Sequence, residues 1–267
     1  MRHIVQPGPP APERIQWVEA RGRAFSFTLE AGLPLLEAAR RGFAAQGFAG
    51  GTLNIKGGGA LGPFAYVMPA LSRTGENAAF YSDTFRAAGT TRLKMGTMTL
   101  GERDGTPFFH CHALWTEADG RAGGGHILPE ETMVAKPFEV DAFGIDGAVF
   151  TAEPDPETNF KLFGPVPSVP AGAKTTSRAF ALRLRPNQDF AGALEAFCRE
   201  RGIASAKLHG GVGSTIGVHF TDGQIVEPFA TELTVKSGRI ALAQAAGWRP
   251  NSTSRSSTIP AASPMVG

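Results

Sequence analysis

The sequence predicts an α+β fold in which one strand–helix–strand unit occurs twice along the chain. Three observations predict it. Arg23-Ala24-Phe25-Ser26-Phe27-Thr28-Leu29 is matched by Arg178-Ala179-Phe180-Ala181-Leu182-Arg183-Leu184 at a constant offset of 155, and both runs alternate apolar with polar residues as half-buried strands do. At the same offset Gly47-Phe48-Ala49 meets Gly202-Ile203-Ala204, and Leu53 meets Leu208. Within the first copy, residues 108–126 read as a strand, a tight turn and a glycine-rich return strand.

Residues 1–22 are expected to be an N-terminal segment. Pro7, Pro9, Pro10 and Pro12 crowd it, and no apolar signal core accompanies Arg2 and His3. The first unit spans 23–163, with its helix over 35–46 closed by Gly47. A second strand leads into Gly57-Gly58-Gly59, which lacks the Lys-Ser or Lys-Thr of a phosphate loop. Residues 164–177 form a Pro-rich linker, and the prolines between 153 and 176 are expected to interrupt regular structure. The second unit, 178–246, carries a helix over 189–201 whose Phe190, Leu194, Phe197 and Cys198 form a core-facing stripe. It has no His-x-His, so any metal site is expected to belong to the first unit. Residues 247–267 are a Ser/Pro-rich tail, expected to be loosely packed from Asn251 onward.

With 267 residues the chain can bury a sizeable core, and 42% hydrophobic content is ordinary for a soluble protein. No run approaches the roughly 20 apolar residues of a membrane helix, and the cytoplasm is the expected compartment. Two cysteines, Cys111 and Cys198, do not make a disulfide framework. A net charge of +2, with 24 acidic among 26 basic residues, permits but does not argue for nucleic-acid binding.

Chemistry concentrates in the hairpin, which holds three of the six histidines. On an extended strand His110 and His112 share a face and Cys111 points the other way. A third imidazole from the return strand would let them hold a divalent metal and leave one position open. A two-residue Asp119-Gly120 turn would pair His126 with Ala113 and put it on the wrong side. A three-residue loop, 118–120, makes 117–120 a type I turn with Gly120 left-handed, sets Glu117 against Arg121, and places His126 opposite His112. The second register is the one expected. The competing expectation is a hairpin whose histidines only hydrogen-bond in a half-buried sheet. Glu117 falls on the face opposite His112, so it is not a candidate base. Gly124 and Gly125, within Gly123-Gly124-Gly125, are candidate ligand-binding positions because their amides can cradle an anion. Close strand packing is the alternative use of the same glycines. His209 and His219 read as strand histidines, and Ser214-Thr215 as a turn.

The run Gly105-Thr106-Pro107, His110-Cys111-His112, Gly124-Gly125-His126 resembles the signature of the plants-and-prokaryotes conserved (PPC) domain, Gly-x-Pro-x-x-His-x-His, a turn, then Gly-Gly-His. The strand Leu93-Lys94-Met95-Gly96-Thr97-Met98 fits as well. The resemblance covers 23–163 as one domain and 178–240 as a second, truncated copy. It implies a largely antiparallel sheet packed against helices, assembly as a homotrimer, and a metal at His110, His112 and His126. Zinc is the ion that suits the ligand type. The tandem copy departs from the family and puts the trimer in doubt.

Plant members of the family carry DNA-binding AT-hooks, whose core is Arg-Gly-Arg-Pro. Here Arg21-Gly22-Arg23 is followed by Ala24 and runs into a strand, so a surface strand start is expected instead. Three functions follow in order of preference: a metal-binding domain that recognises or transforms a small molecule, a DNA-associated regulator that uses the domain to assemble, and a purely structural module.

Overall fold

Strands dominate the chain, and they are joined mostly antiparallel. The structure is a computed structural model and describes residues 2–242 and 263–266. β1 (Ile15–Leu29) leads through α1 (Leu35–Ala44) into β2 (Gly50–Ile55). Short strands follow: β3 (Ala60–Leu61), β4 (Phe64–Val67), β5 (Pro69–Leu71), β6 (Ala79–Tyr81) and β7 (Phe85–Ala87). The long central strands are β8 (Thr91–Arg103) and β9 (Thr106–Thr116), then β10 (Ala122–Ile127), β11 (Val134–Lys136), β12 (Phe138–Asp146), β13 (Ala148–Asp155) and β14 (Phe160–Pro167). The C-terminal part holds β15 (Ser177–Leu184), α2 (Phe190–Glu200), β16 (Ser205–Leu208), β17 (Gly211–Thr215), β18 (Val218–His219), β19 (Ile225–Val226), β20 (Thr231–Val235), β21 (Gly238–Ala241) and β22 (Ser263–Val266).

A 13-stranded sheet is the body of the protein, its main path running β15-β1-β12-β2-β8-β9-β10-β4-β7. Among the described residues only the short β13–β8 contact, Thr151↔Glu102 and Ala152↔Arg103, is parallel. One sheet face carries the core. Phe109, Cys111, Ala113 and Trp115 of β9 alternate onto it with Met98 and Leu100 of β8 and Leu53 and Ile55 of β2. Leu35, Ala38, Ala39 and Phe43 of α1 cover them, each large side chain contributing about 1.5–3 kcal/mol by burial. The helix ends where Gly47 turns left-handed at φ 83° and the Phe48 N–H bonds back to the Phe43 carbonyl at 3.0 Å.

The same strand–helix–strand order recurs in β15–α2–β16. Gly202 has φ 63°, and the Ile203 N–H reaches the Cys198 carbonyl at 2.8 Å. The expected stripe is present, with Leu194, Phe197 and Cys198 buried and Phe190 packed beside them. Asp189 caps α2 by accepting from the Gly192 N–H at 2.7 Å. The coarse expectation of antiparallel sheet with helices therefore holds, although the described residues contain only two helices.

Four expectations need correction. β1 begins at Ile15, inside the segment 1–22, and its first half pairs with β15 from Ile15↔Leu184 to Gly22↔Ser177. Both opening strands thus lie side by side in one sheet. The prolines of 153–176 do not all interrupt structure. Pro154, Pro165 and Pro167 sit within the β13–β14 hairpin, and β14 pairs only with β13, an edge position where a missing N–H is tolerated. Ser214-Thr215 is strand, not turn, paired with Thr231 and Glu232. In the tail, Ser263–Val266 pairs with β20, while the rest of 247–267 lies outside the described residues.

Candidate metal centre

The turn between β9 and β10 sets the site. The Glu117 N–H bonds the Arg121 carbonyl at 2.8 Å and the Gly120 N–H bonds the Glu117 carbonyl at 3.0 Å, with Gly120 at φ 90°. This is the three-residue loop, and it pairs His126 with His112. Glu117 turns to the core side, where its carboxylate accepts from the Tyr66 hydroxyl at 3.0 Å and from Arg121 at 2.7 Å.

All three histidines therefore meet. One ring nitrogen from each of His110, His112 and His126 lies within 4.8 Å of the others. His112 and His126 are 1% and 8% exposed. Burial holds His110 well below its usual range, with the other two rings adding to the effect. Burial likewise takes His112 down to about 4 and His126 down to about 3. At neutral pH all three rings are uncharged and offer lone pairs, the state a metal requires.

The hydrogen bonds fix the tautomers. His112 Nδ1 is 2.9 Å from the Leu233 carbonyl, and a carbonyl can only accept, so Nδ1 carries the proton and Nε2 the lone pair. His110 Nε2 lies 2.9 Å from that Nε2 and must donate to it when no metal is bound. His126 Nδ1 is buried without any partner, an orphaned acceptor or donor that ordinarily carries a cost. Converging neutral nitrogens, an orphaned ring atom and a ligand ring oriented by a carbonyl are what a divalent-metal site needs. The three residues fit one.

A second layer covers this face of the sheet. β20, with β17 on one side and β22 on the other, lies over β8 and β9. Thr97 Oγ1 donates to the Val235 carbonyl at 3.2 Å, and Glu232 brings its carboxylate to 3.5 Å from His112 Nε2. Glu232 is 1% exposed, and burial raises its carboxyl to about 8. The Tyr81 ring lies 5.2 Å from that of His126. Although the residue is 37% exposed, burial first and the Glu232 charge second push its hydroxyl up. Phe163 stacks on His110. The three candidate ligands all lie within residues 23–163, where the site was expected, and Leu233 and Glu232 approach them from the C-terminal part of the chain.

Gly124 and Gly125 lie inside the β9–β10 ladder, opposite Leu114 and Ala113, rather than in a loop. A Cβ on Gly123 would stand 2.5 Å from Trp115 Nε1, and one on Gly125 2.7 Å from the Val67 carbonyl oxygen. Close packing is what these two positions demand. His209 is set apart, its ring stacked on Phe143 at 4.0 Å and its carbonyl accepting from Asn54 at 2.8 Å. His219 is exposed. Arg21-Gly22-Arg23 is embedded in β1 between β12 and β15.

No family model and no curated protein matches the sequence. Among solved structures several match about half of this chain. The chain is similar to a PPC protein. That protein, from Pyrococcus horikoshii, is 20% identical, with a TM-score of 0.43 over 56% of this chain and 96% of its own. A metal-containing protein from Archaeoglobus fulgidus is 19% identical, with a TM-score of 0.40 over 54% of this chain and 94% of its own. A candidate DNA-binding protein from Ralstonia eutropha JMP134 is 15% identical, with a TM-score of 0.37 over 52% of this chain and 89% of its own. No described helix is long and apolar enough to cross a membrane.

Proposed function

We propose that this is a PPC-like protein whose His110, His112 and His126 hold one divalent metal, zinc by ligand type, and that it binds or transforms a small molecule there. One observation carries the reading: three neutral imidazoles, two of them buried and His110 half-buried, converge within 4.8 Å, one of them with an unpartnered nitrogen. A three-histidine metal supplies Lewis-acid polarisation of an oxygen in the substrate or water. The chain's own groups orient the ligands through Leu233 and exclude water through β20, Tyr81 and Phe163. The experiment is metal reconstitution of the tag-free chain alongside His110→Ala and His126→Ala, followed by a ligand screen of the loaded protein.

The second unit belongs to the same proposal as a truncated copy of the first, supported by the recurring strand–helix–strand order and its glycine caps. Self-association as a homotrimer is proposed too, supported by the exposed Leu71, Phe80 and Phe85, and light scattering tests it. A cytoplasmic location is consistent with two free, buried cysteines. The competing reading, a DNA-associated regulator, predicts salt-dependent DNA retention that ignores the histidines. The placing of Arg21-Gly22-Arg23 inside a three-strand ladder favours the metal reading over a minor-groove hook.

A further inference from the structure

We infer that Glu232, from the C-terminal half of the chain, is the fourth protein ligand of the metal held by the three histidines, so that the two halves complete one closed centre in cis. The inference rests on the metal reading above and deepens it. Glu232 Oε1 stands 3.5 Å from His112 Nε2. His112 Nδ1 is occupied by Leu233, so Nε2 is the atom left for a metal. Two ligands of one tetrahedral zinc ion, with bonds near 2.0–2.2 Å, keep a spacing of about 3.3–3.5 Å. From His112 the carboxylate stands at the spacing of a fellow ligand; the cluster within 4.8 Å is the three histidines alone, and Glu232 completes it by swinging toward them.

Its surroundings offer it nothing else. Glu232 is 1% exposed. Oε2 has no hydrogen-bond partner, and among the described residues no lysine or arginine pairs with it, its ion-pair neighbour being His112. A buried carboxylate in that state is normally paired or bound to a metal. The unpartnered oxygen leaves it free to turn toward the nitrogens.

The strand that delivers it is clamped to the sheet just beyond the residue. The Leu233 carbonyl holds His112 at 2.9 Å, and the Val235 carbonyl holds Thr97 at 3.2 Å. β20 also pairs with β17 through Glu232↔Ser214. Charge agrees: three neutral imidazoles leave a divalent ion at +2 in a water-poor site, and one carboxylate halves that. A small anionic or oxygen-donor ligand would have to displace Glu232 to reach the metal, which makes β20 the element that controls access.

The test uses the full chain loaded with cobalt(II), with Glu232→Gln and His110→Ala beside it. The wild type is expected to show a four-coordinate visible spectrum that azide does not shift, and no rapidly exchanging inner-sphere water by solvent-proton relaxation. Glu232→Gln should still bind cobalt, about tenfold or more weakly, and azide should now shift its spectrum. Unchanged affinity and spectrum in Glu232→Gln would overturn the inference and leave the three-histidine site standing. Exchanging water on the wild-type cobalt would overturn it too, without relying on any variant's folding. Failure of the wild type to bind cobalt at all, with His110→Ala indistinguishable from it, would overturn the metal reading and this inference together.

Discussion

His112 and Leu233 lie 121 residues apart in sequence, yet His112 Nδ1–H donates to the Leu233 carbonyl at 2.9 Å. This bond joins the histidine strand to the C-terminal layer and decides which nitrogen of His112 is left for a metal. His112→Ala should therefore do two things. It should abolish metal binding, and it should destabilise the metal-free chain by about 1–3 kcal/mol through the stranded buried carbonyl alone. Urea unfolding of the metal-free proteins checks the second. Equal midpoints would show that the bond contributes nothing.

Glu117 separates structure from chemistry within the same hairpin. Its buried carboxylate bonds Tyr66 and Arg121, and those bonds, with one from Trp115, outweigh the burial that would raise its pKa and keep it lowered. Glu117→Ala strands the Tyr66 hydroxyl, so a loss of about 1–3 kcal/mol in thermal or urea stability is expected. Metal content should stay at the wild-type level. A loss of metal in a folded Glu117→Ala protein would place this residue in the site after all.

How much of this was legible beforehand differs between the two layers. The histidine face of β9 followed from strand alternation, and the register followed from Gly120 at the left-handed position of the turn, because both depend on neighbours a few residues apart. Glu232 did not. In Thr231-Glu232-Leu233-Thr234-Val235 the alternation reads Glu232 as facing solvent, and only the stacking of β20 on β8 and β9 buries it. A lone acidic residue in an otherwise uncharged strand was the one local signal. The prolines misled for a related reason, since nothing near Pro165 or Pro167 tells an edge strand from a linker.

Acid should weaken the metal-free fold through the histidines. Their folded pKa values, about 4 for His112 and about 3 for His126 with His110 also well lowered by burial, lie below the unfolded value near 6.5. Their contribution is complete above pH 6.5 and is lost as pH falls through the folded values, by up to about 1.4 kcal/mol per pH unit for each proton taken up on unfolding. Glu232 works in the opposite sense. Raised by burial to about 8, it adds stability below its unfolded value near 4.5 that fades as pH rises toward 8. Between pH 4.5 and 6.5 three histidines outnumber one carboxyl. Unfolding scans over that window should show falling stability, with a shallower slope in His126→Phe; identical slopes would contradict the burial of neutral His126.

Gly123→Ala should fail for steric reasons. The added methyl meets the Trp115 indole at 2.5 Å, and Trp115 is fully buried. Overpacking of this kind costs about 1–3 kcal/mol, readable as a lower melting temperature. A neutral outcome would mean that Trp115 can shift, and that packing is not why glycine stands there.

The central claim is tested most directly by elemental analysis of the tag-free protein after reconstitution with zinc, run in parallel on His110→Ala and His126→Ala. The account predicts close to one zinc per chain in the wild type and none retained by either folded variant. A wild-type chain that takes up no divalent metal, or variants that keep it, would contradict the account and leave the three histidines as structural residues of a sheet.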